Sequence, residues 1–239
     1  MLKLVHIRAK HLIFLISCMA ISIAALAGYD GQAGALLCEN NPDYYCMKVF
    51  RKSVGTGFAE PDWKEVFPDR RERELVMKVN RMNTPLKSGI KIAVPRGLAD
   101  KDMMDLSPFP KKRDTGGEKL IIFDPRAYAF AAYDEEGKLV RWGPAVGGRA
   151  GLWTPAGNYR INSKGGPDCR SSIYPEGCSG RSCSAMPYCM EFRHGCAFHA
   201  GDLPGRHASH GCVRLFYDDA KWLNTEFAKI GTRVLVGPY

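Results

Sequence analysis

From Lys119 onward the chain is a series of short apolar runs separated by turn residues, and this punctuation limits it to a mainly β fold. Leu120–Phe123 and Ala127–Tyr133 flank a turn that contains Pro125. Asp134-Glu135-Glu136-Gly137 then turns the chain into Lys138–Trp142. Asn158–Asn162, Tyr188–Phe192 and Arg233–Val236 repeat the pattern. Runs this short, rich in β-branched and aromatic residues, predict the strands of an all-β sandwich or barrel. One helix is expected to interrupt them. Asp218-Asp219 would open it, Ala220, Trp222, Leu223 and Phe227 would form its apolar face, and Gly231 would end it.

The rest of the chain divides into shorter stretches. Residues 1–27 have the layout of a signal peptide. Lys3, Arg8 and Lys10 precede the apolar stretch Leu12–Leu26, and Ala25-Leu26-Ala27 is an A-x-A cleavage site. The apolar run is shorter than the roughly 20 residues a spanning helix needs. Cleavage before Gly28 and residence in the periplasm or cell wall are therefore expected, with membrane contact only through this segment. Residues 28–37 are small and are expected to be a disordered leader. Residues 38–98 read as a small α+β unit. Asp69-Arg70-Arg71-Glu72 is a capping-box pattern, and Leu75, Val76 and Val79 follow at helical spacing. Asn83-Thr84-Pro85 stops that helix, and Gly89–Pro95 reads as a strand, with Lys48–Phe50 as its opening partner. Residues 99–117, with their prolines, glycines and Lys111-Lys112-Arg113, read as a linker. Residues 118–239 are the remaining, strand-rich domain.

Net charge is +9 over 239 residues, and removal of residues 1–27 leaves 31 basic against 25 acidic residues. A modest positive excess favours an anionic partner such as a wall polymer. No nucleic-acid partner is expected. Of nine cysteines, Cys18 would leave with the signal, and Cys38, Cys46, Cys169, Cys178, Cys183, Cys189, Cys196 and Cys212 remain. In an exported chain this density reads as disulfides, and the spacings lack the paired two-residue steps of zinc ribbons. No metal and no cofactor are expected. If one thiol is kept as a nucleophile, the seven others cannot all pair, so at least one more must be free.

The chemistry concentrates in Phe198-His199-Ala200-Gly201 and Ser209-His210-Gly211-Cys212-Val213-Arg214. A thiol needs a base to become a nucleophile, and imidazole is the usual one. Two His-Gly-Cys triplets compete. His194-Gly195-Cys196 lies between apolar runs and reads as a hairpin turn entering a strand, which makes Cys196 a wall residue. His210-Gly211-Cys212 follows a polar loop, and its glycine turn aims backbone amides at one point, as an oxyanion hole requires. Cys212 is therefore the expected nucleophile. His210 is too close in sequence to face it, so His199, arriving from the preceding strand, is the expected base. The carbonyl of Ala200 or Gly201 is the group that would orient it. Arg214 sits where it can hold a carboxylate.

These residues resemble the signature of the L,D-transpeptidases with a YkuD-type catalytic domain. The likeness extends to Thr154-Pro155-Ala156-Gly157-Asn158-Tyr159, Met186-Pro187-Tyr188 and Gly231-Thr232-Arg233-Val234, about residues 118–237. It implies a mainly-β domain that cross-links peptidoglycan without a cofactor. Cys212 would attack the L,D bond of a tetrapeptide stem, D-alanine would leave, and the amine of a second stem would resolve the acyl-thioenzyme as a 3–3 link. His199 would move the protons. The turn of Ser209, His210 and Gly211 would hold the oxyanion, and Arg214, Tyr188 and Gly201 would bind substrate. Carbapenems would acylate the same cysteine. Attachment of a lipoprotein to the wall, or hydrolysis as an L,D-carboxypeptidase or endopeptidase, needs only another acceptor. A non-enzymatic wall-binding protein is the remaining alternative. Residues 165–196 depart from the family pattern by carrying five extra cysteines. Separately, the order of helix, Asn80-Arg81-Met82-Asn83 and Gly89–Pro95 resembles the second half of a LysM repeat, which implies binding of peptidoglycan glycan strands.

Overall fold

A computed structural model describes residues 32–239, so the signal-like segment and residues 28–31 lie outside the described residues. Strands β5 (Leu120–Asp124), β6 (Ala129–Tyr133) and β7 (Leu139–Val146) form an antiparallel meander, with Leu120 opposite Tyr133 and Ala129 opposite Pro144. Every residue of β6 is buried. Side chains alternate between faces along a strand. One face of the meander joins Phe123, Phe130 and Ile121 to the main core, and the other packs Ile122, Ala131, Tyr133 and Trp142 in a second cluster.

Strands add on both sides of the meander. β13 (Arg233–Val236) lies parallel to β5, and β8 (Gly157–Arg160) pairs antiparallel with β13. On the far side β12 (Val213–Leu215) pairs antiparallel with β7, and β11 (Cys196–Ala200) lies parallel to β12. β10 (Met190–Arg193) and β9 (Ser163–Lys164) complete the sheet. Among the described residues this gives one nine-stranded sheet. It curls until β8 meets β10 around Ile161, Met190, Phe198, Leu215 and Val234. The expected sandwich or barrel is thus one curled mixed sheet. The reason lies in the parallel joints, which cannot be closed by hairpins and need long crossovers.

The late helix forms as α4 (Tyr217–Trp222) and continues as a π-helical turn over Leu223–Phe227. Ala220, Leu223 and Phe227 are buried, as their spacing predicts. The Lys164 ammonium caps this turn by donating to the carbonyls of Asn224 and Ala228 at 2.5 and 2.6 Å, which supplies partners for helix-end acceptors.

The N-terminal unit pairs β1 (Tyr44–Lys48) antiparallel with β4 (Lys91–Pro95). Between them run a hairpin of β2 (Lys52–Val54) and β3 (Gly57–Ala59), then α2 (Trp63–Val66) and α3 (Arg70–Val79). Asp69 caps α3 by accepting from the Glu72 amide at 2.8 Å. Two expectations are corrected here. The supposed leader contains α1 (Ala33–Asn40), tied down by the Cys38–Cys46 disulfide and by a bond from the Ala33 amide to the Gly205 carbonyl. The opening strand is Tyr44–Lys48 and not Lys48–Phe50, because the ladder with β4 runs from Tyr44 opposite Pro95 to Lys48 opposite Lys91.

The linker is a third correction. Residues 99–117 lie against the second cluster through Met103, Leu106 and Phe109, and the Trp142 indole donates to the Met103 carbonyl. The Leu139 amide bonds to Lys111 and the Arg113 amide to Gly137. Apolar residues spaced among the prolines turn this stretch into a packed strap.

Asn80, fully buried, ties α3 to β4. Its side chain donates to the Val76 and Ala93 carbonyls at 2.7 and 2.8 Å and accepts from the Ala93 amide at 2.7 Å. Asn80→Ala removes the side-chain partner of the Ala93 amide and carbonyl and should lower stability by about 2–4 kcal/mol in urea titration.

Candidate active site

The parallel pairing of β11 with β12 decides where the chemistry falls. A crossover must join them, and Gly201–Cys212 is that crossover. The register sets Phe198 beside Val213 and His199 beside Arg214. One step back, Cys212 falls beside Ala197. Laterally paired residues point to the same face, and so do residues two apart on one strand. Cys212, Arg214, Ala197 and His199 therefore share a face, and it lines a cavity of about 830 Å³. The cysteine-rich insertion between β9 and β10, residues 165–189, contributes Arg170–Tyr174 and Ser184–Pro187 to the cavity wall, and Asn83 of the N-terminal unit completes it.

His199 Nδ1 lies 2.8 Å from the Ala200 carbonyl. A carbonyl only accepts, so Nδ1 carries the proton and Nε2 presents a lone pair. The ring is 7% exposed. Burial holds its pKa down at about 4, with the Arg214 charge acting in the same direction and the Ala200 bond against it. His199 is thus a neutral acceptor at ordinary pH. Burial also pushes the Cys212 thiol above its usual value, with the Ala197 amide opposing. The thiol's own bond runs to the Gly195 carbonyl at 3.6 Å. The resting pair is therefore neutral thiol and neutral imidazole, with no hydrogen bond between them among the described residues. Catalytic bonds often tighten only when substrate binds.

The turn before Cys212 is cross-braced. Ser209 Oγ donates to the Cys212 carbonyl at 2.5 Å and accepts from the Gly211 amide at 3.1 Å. Thr154, fully buried, donates to the Gly211 carbonyl at 2.9 Å. Gly211 has φ of +122°, a backbone conformation open to glycine. The bond to Ser209 corrects one expectation, because the Gly211 amide is committed inside the turn and not aimed at a reacting oxygen.

The other expected residues separate into those in the cavity and those outside it. His210 is exposed, and its ring lies 4.3 Å from that of Tyr174. It belongs to the turn. Arg214 reaches the Asp202 carbonyl at 3.4 Å and, among the described residues, forms no ion pair. A side chain at Gly201 would meet Arg214 carbons at 3.3 Å and His199 Cε1 at 3.5 Å, so glycine is needed for close approach. Tyr188 is a correction. Its ring is buried in the core, edge-on to Tyr217, and does not line the cavity. Its neighbours Pro187 and Cys189 do. Cys196 is buried in the core as a free thiol, and Gly195 before it turns with φ of +75°. Disulfides join Cys38 to Cys46, Cys169 to Cys189 and Cys178 to Cys183, which leaves Cys196 and Cys212 free. The odd-number argument required this second free thiol. Among the described residues no group of three His, Cys, Asp or Glu is placed to hold a metal ion.

Two supporting residues escaped the sequence reading. His207 accepts from the Gly147 amide at Nδ1, 2.9 Å, and donates from Nε2 to the Pro125 carbonyl at 3.1 Å. It stacks on Tyr128 at 4.3 Å and pins the middle of the crossover. Burial lowers its pKa to about 4. Asn83 donates to the Gly201 carbonyl at 2.9 Å and accepts from the Leu203 amide at 2.7 Å. It thereby clamps the loop that leaves His199. The partners lie 118 and 120 positions away, and no local pattern signals such a contact.

A free thiol and a neutral imidazole thus share one face of a mainly-β scaffold and open into one cavity. Residues 118–236 match the family model for the L,D-transpeptidase catalytic domain, YkuD. Over those residues the chain carries an L,D-transpeptidase catalytic domain. An L,D-transpeptidase from Stackebrandtia nassauensis is 25% identical, with a TM-score of 0.46 over 55% of this chain and 61% of that one. One from Xylanimonas cellulosilytica is 19% identical, with a TM-score of 0.52 over 82% of this chain and 98% of that one, and shares the fold. L,D-transpeptidase 3 from Mycobacterium tuberculosis, solved with a faropenem-derived adduct, is 20% identical, with a TM-score of 0.44 over 65% and 76%. Comparison with curated proteins returns no match. The family match begins after the N-terminal unit.

His199 and His207 both have folded pKa values near 4 against 6.5 for the free side chain. The unfolded chain therefore binds more protons between these values. Their stabilisation is fully present above pH 6.5 and is lost as pH falls towards 4, on the order of 3 kcal/mol for each ring. The melting temperature should be flat above pH 7 and fall across this window, and His207→Gln should fall less steeply. Asn83→Ala should slow acylation of Cys212 about tenfold by loosening the base, read as the rate of adduct formation with a carbapenem.

Proposed function

We propose that this protein is an exported L,D-transpeptidase that forms 3–3 cross-links in peptidoglycan. The observation that carries the reading is the fixed tautomer of His199. Its Nδ1–H is held by the Ala200 carbonyl, so Nε2 is free to take the thiol proton on the face it shares with Cys212.

The sequence of steps follows from the resting state. A donor tetrapeptide enters the cavity and displaces the thiol from the Gly195 carbonyl. Nε2 accepts the Sγ proton as the sulfur attacks the carbonyl between the diamino acid and D-alanine. Charge develops on the carbonyl oxygen, and the amides of His210 and Cys212 take the oxyanion role, since the Gly211 amide is held by Ser209. The imidazolium returns its proton to the departing D-alanine amine. A second stem's amine then attacks the thioester, and Cys212 leaves as thiol. Arg214, unpaired and beside His199, holds a substrate carboxylate.

The signal-like N-terminus supports a location in the periplasm or cell wall. The N-terminal unit, in which β1 pairs with β4 across a hairpin and two helices, is proposed as a LysM-like glycan-binding module beside the catalytic cavity. Carbapenems are acyl donors by virtue of their strained lactam and are proposed to trap Cys212.

Incubation with a carbapenem should add one adduct mass, mapped to Cys212, and leave Cys196 unmodified. Incubation with tetrapeptide muropeptides should yield dimers. Cys212→Ala should abolish both without changing the melting temperature, and His199→Ala should slow acylation about 10²- to 10⁴-fold. An adduct on Cys196, or dimers from Cys212→Ala, would overturn the assignment. Tripeptides without dimers would make the enzyme a carboxypeptidase.

A further inference from the structure

The cavity holds a carboxylate that the steps above do not use. Glu191 lies on β10, where its strand neighbours Met190 and Phe192 point into the core and it points out into the cavity. The ladder registers place it in a row that crosses the sheet. Ser163 pairs with Glu191, and Glu191 pairs with Ala197. Extending the parallel register by one step sets Ala197 beside Cys212. Glu191 and Cys212 thus stand on one face, two strands apart, with Ala197 of β11 between them.

The charges around Glu191 leave it without a cationic partner. Among the described residues it forms no ion pair, and its recorded side-chain bond is accepted from Ser163 Oγ at 3.2 Å. The neighbouring cations are occupied by carbonyls. Lys164 donates to Asn224 and Ala228, and Arg170 donates to Arg181 and Cys183. Arg214 lies on the other side of the thiol row, bonded to the Asp202 carbonyl. A negative charge here has a cost, because it disfavours the thiolate that Cys212 must become, and it raises the thiol's pKa. A group that hinders the first half-reaction is expected to serve the second.

We infer that Glu191 forms the acceptor subsite, binding the side-chain ammonium of the incoming stem beside the acyl-thioenzyme and taking its first proton. This rests on the transpeptidase reading above. The step balances. The ammonium gives one proton to the Glu191 carboxylate. The freed nitrogen lone pair forms the new C–N bond at the thioester carbonyl, and the C–S bond breaks with its electrons going to Sγ. A second proton passes from nitrogen through His199 Nε2 to the sulfur. The products are an amide, a thiol and a neutral carboxylic acid, which returns its proton to solvent. Water needs no such cation site, so the subsite favours aminolysis over hydrolysis. Arg214 and Glu191 then divide the cavity into an end for anionic groups and an end for the cationic acceptor.

The test separates the two half-reactions with Glu191→Gln, which keeps shape and removes charge. With tetrapeptide muropeptides, the ratio of dimer to tripeptide should fall about 10- to 100-fold. Acylation by a carbapenem should change by less than about threefold, and upward, because a charge beside the thiol has been removed. Wild type given an acceptor stem with an acetylated side-chain amine should show the same low ratio. Ser163→Ala, which frees the carboxylate to swing, should give an intermediate ratio. An unchanged ratio in Glu191→Gln overturns the inference. Equal loss of acylation and of dimer also overturns it, since that is the result of general damage to the site. If wild type is acylated but Glu191→Gln behaves like it, the functional reading survives and the subsite does not. If wild type is never acylated, both fall.

Discussion

The parallel pairing of β11 with β12 is the constraint on which the rest of the site depends. Two neighbouring strands that run the same way cannot be joined by a tight turn. The chain must leave the end of β11, travel back and re-enter at the start of β12. That return puts His199 near the exit of one strand and Cys212 at the entry of the next. The residues of the return loop are not filler. His207 anchors its middle between Gly147 and Pro125, Ser209 and Thr154 brace its end, and Gly201 allows Arg214 to lie against it. A buried imidazole with both nitrogens satisfied is a rigid anchor at neutral pH and a weak one when protonated, which links the geometry of catalysis to acid stability.

The N-terminal unit takes part in the same arrangement. Asn83 grips the loop after His199, Arg81 donates to the Ala127 carbonyl, and the Gly205 amide bonds back to the Arg81 carbonyl. Asp219, fully buried on α4, draws Lys78 and Arg141 from the two units to a single carboxylate. Breaking such a buried pair from one side leaves an uncompensated charge. The unit is thus fixed against the catalytic domain by polar groups that need each other, and it supplies part of the cavity wall.

The disulfides leave two thiols free among the described residues, Cys196 and Cys212. The two disulfides of the insertion join Cys169 to Cys189 and Cys178 to Cys183. Cys169 and Cys189 line the cavity, and their bond consumes both thiols. Cys196, the other free thiol, is buried beneath Gly211 and also lines the cavity, and it forms no disulfide with Cys212. The same disulfides hold the wall whose Tyr174 covers His210.

The sequence alone determined the strand-rich character of residues 118–239, the helix at Asp218 and the capped helix at Asp69, and it singled out the thiol of Cys212 and the imidazole of His199. These were legible because each rests on local chemistry: alternation, caps, and a thiol in a glycine turn. The carbonyl that orients His199 was legible for the same reason, since Ala200 is its chain neighbour. Tertiary structure decided what depends on distant partners. It made one curled sheet where short strands alone suggested a sandwich, because strand direction is set by crossovers and not by pattern. It turned the presumed linker into a packed strap and part of the leader into a helix. It moved Tyr188 into the core and brought Asn83 and Glu191 to the cavity. Local sequence fixes which face a side chain takes on its own strand, but only the register between strands fixes what stands beside it.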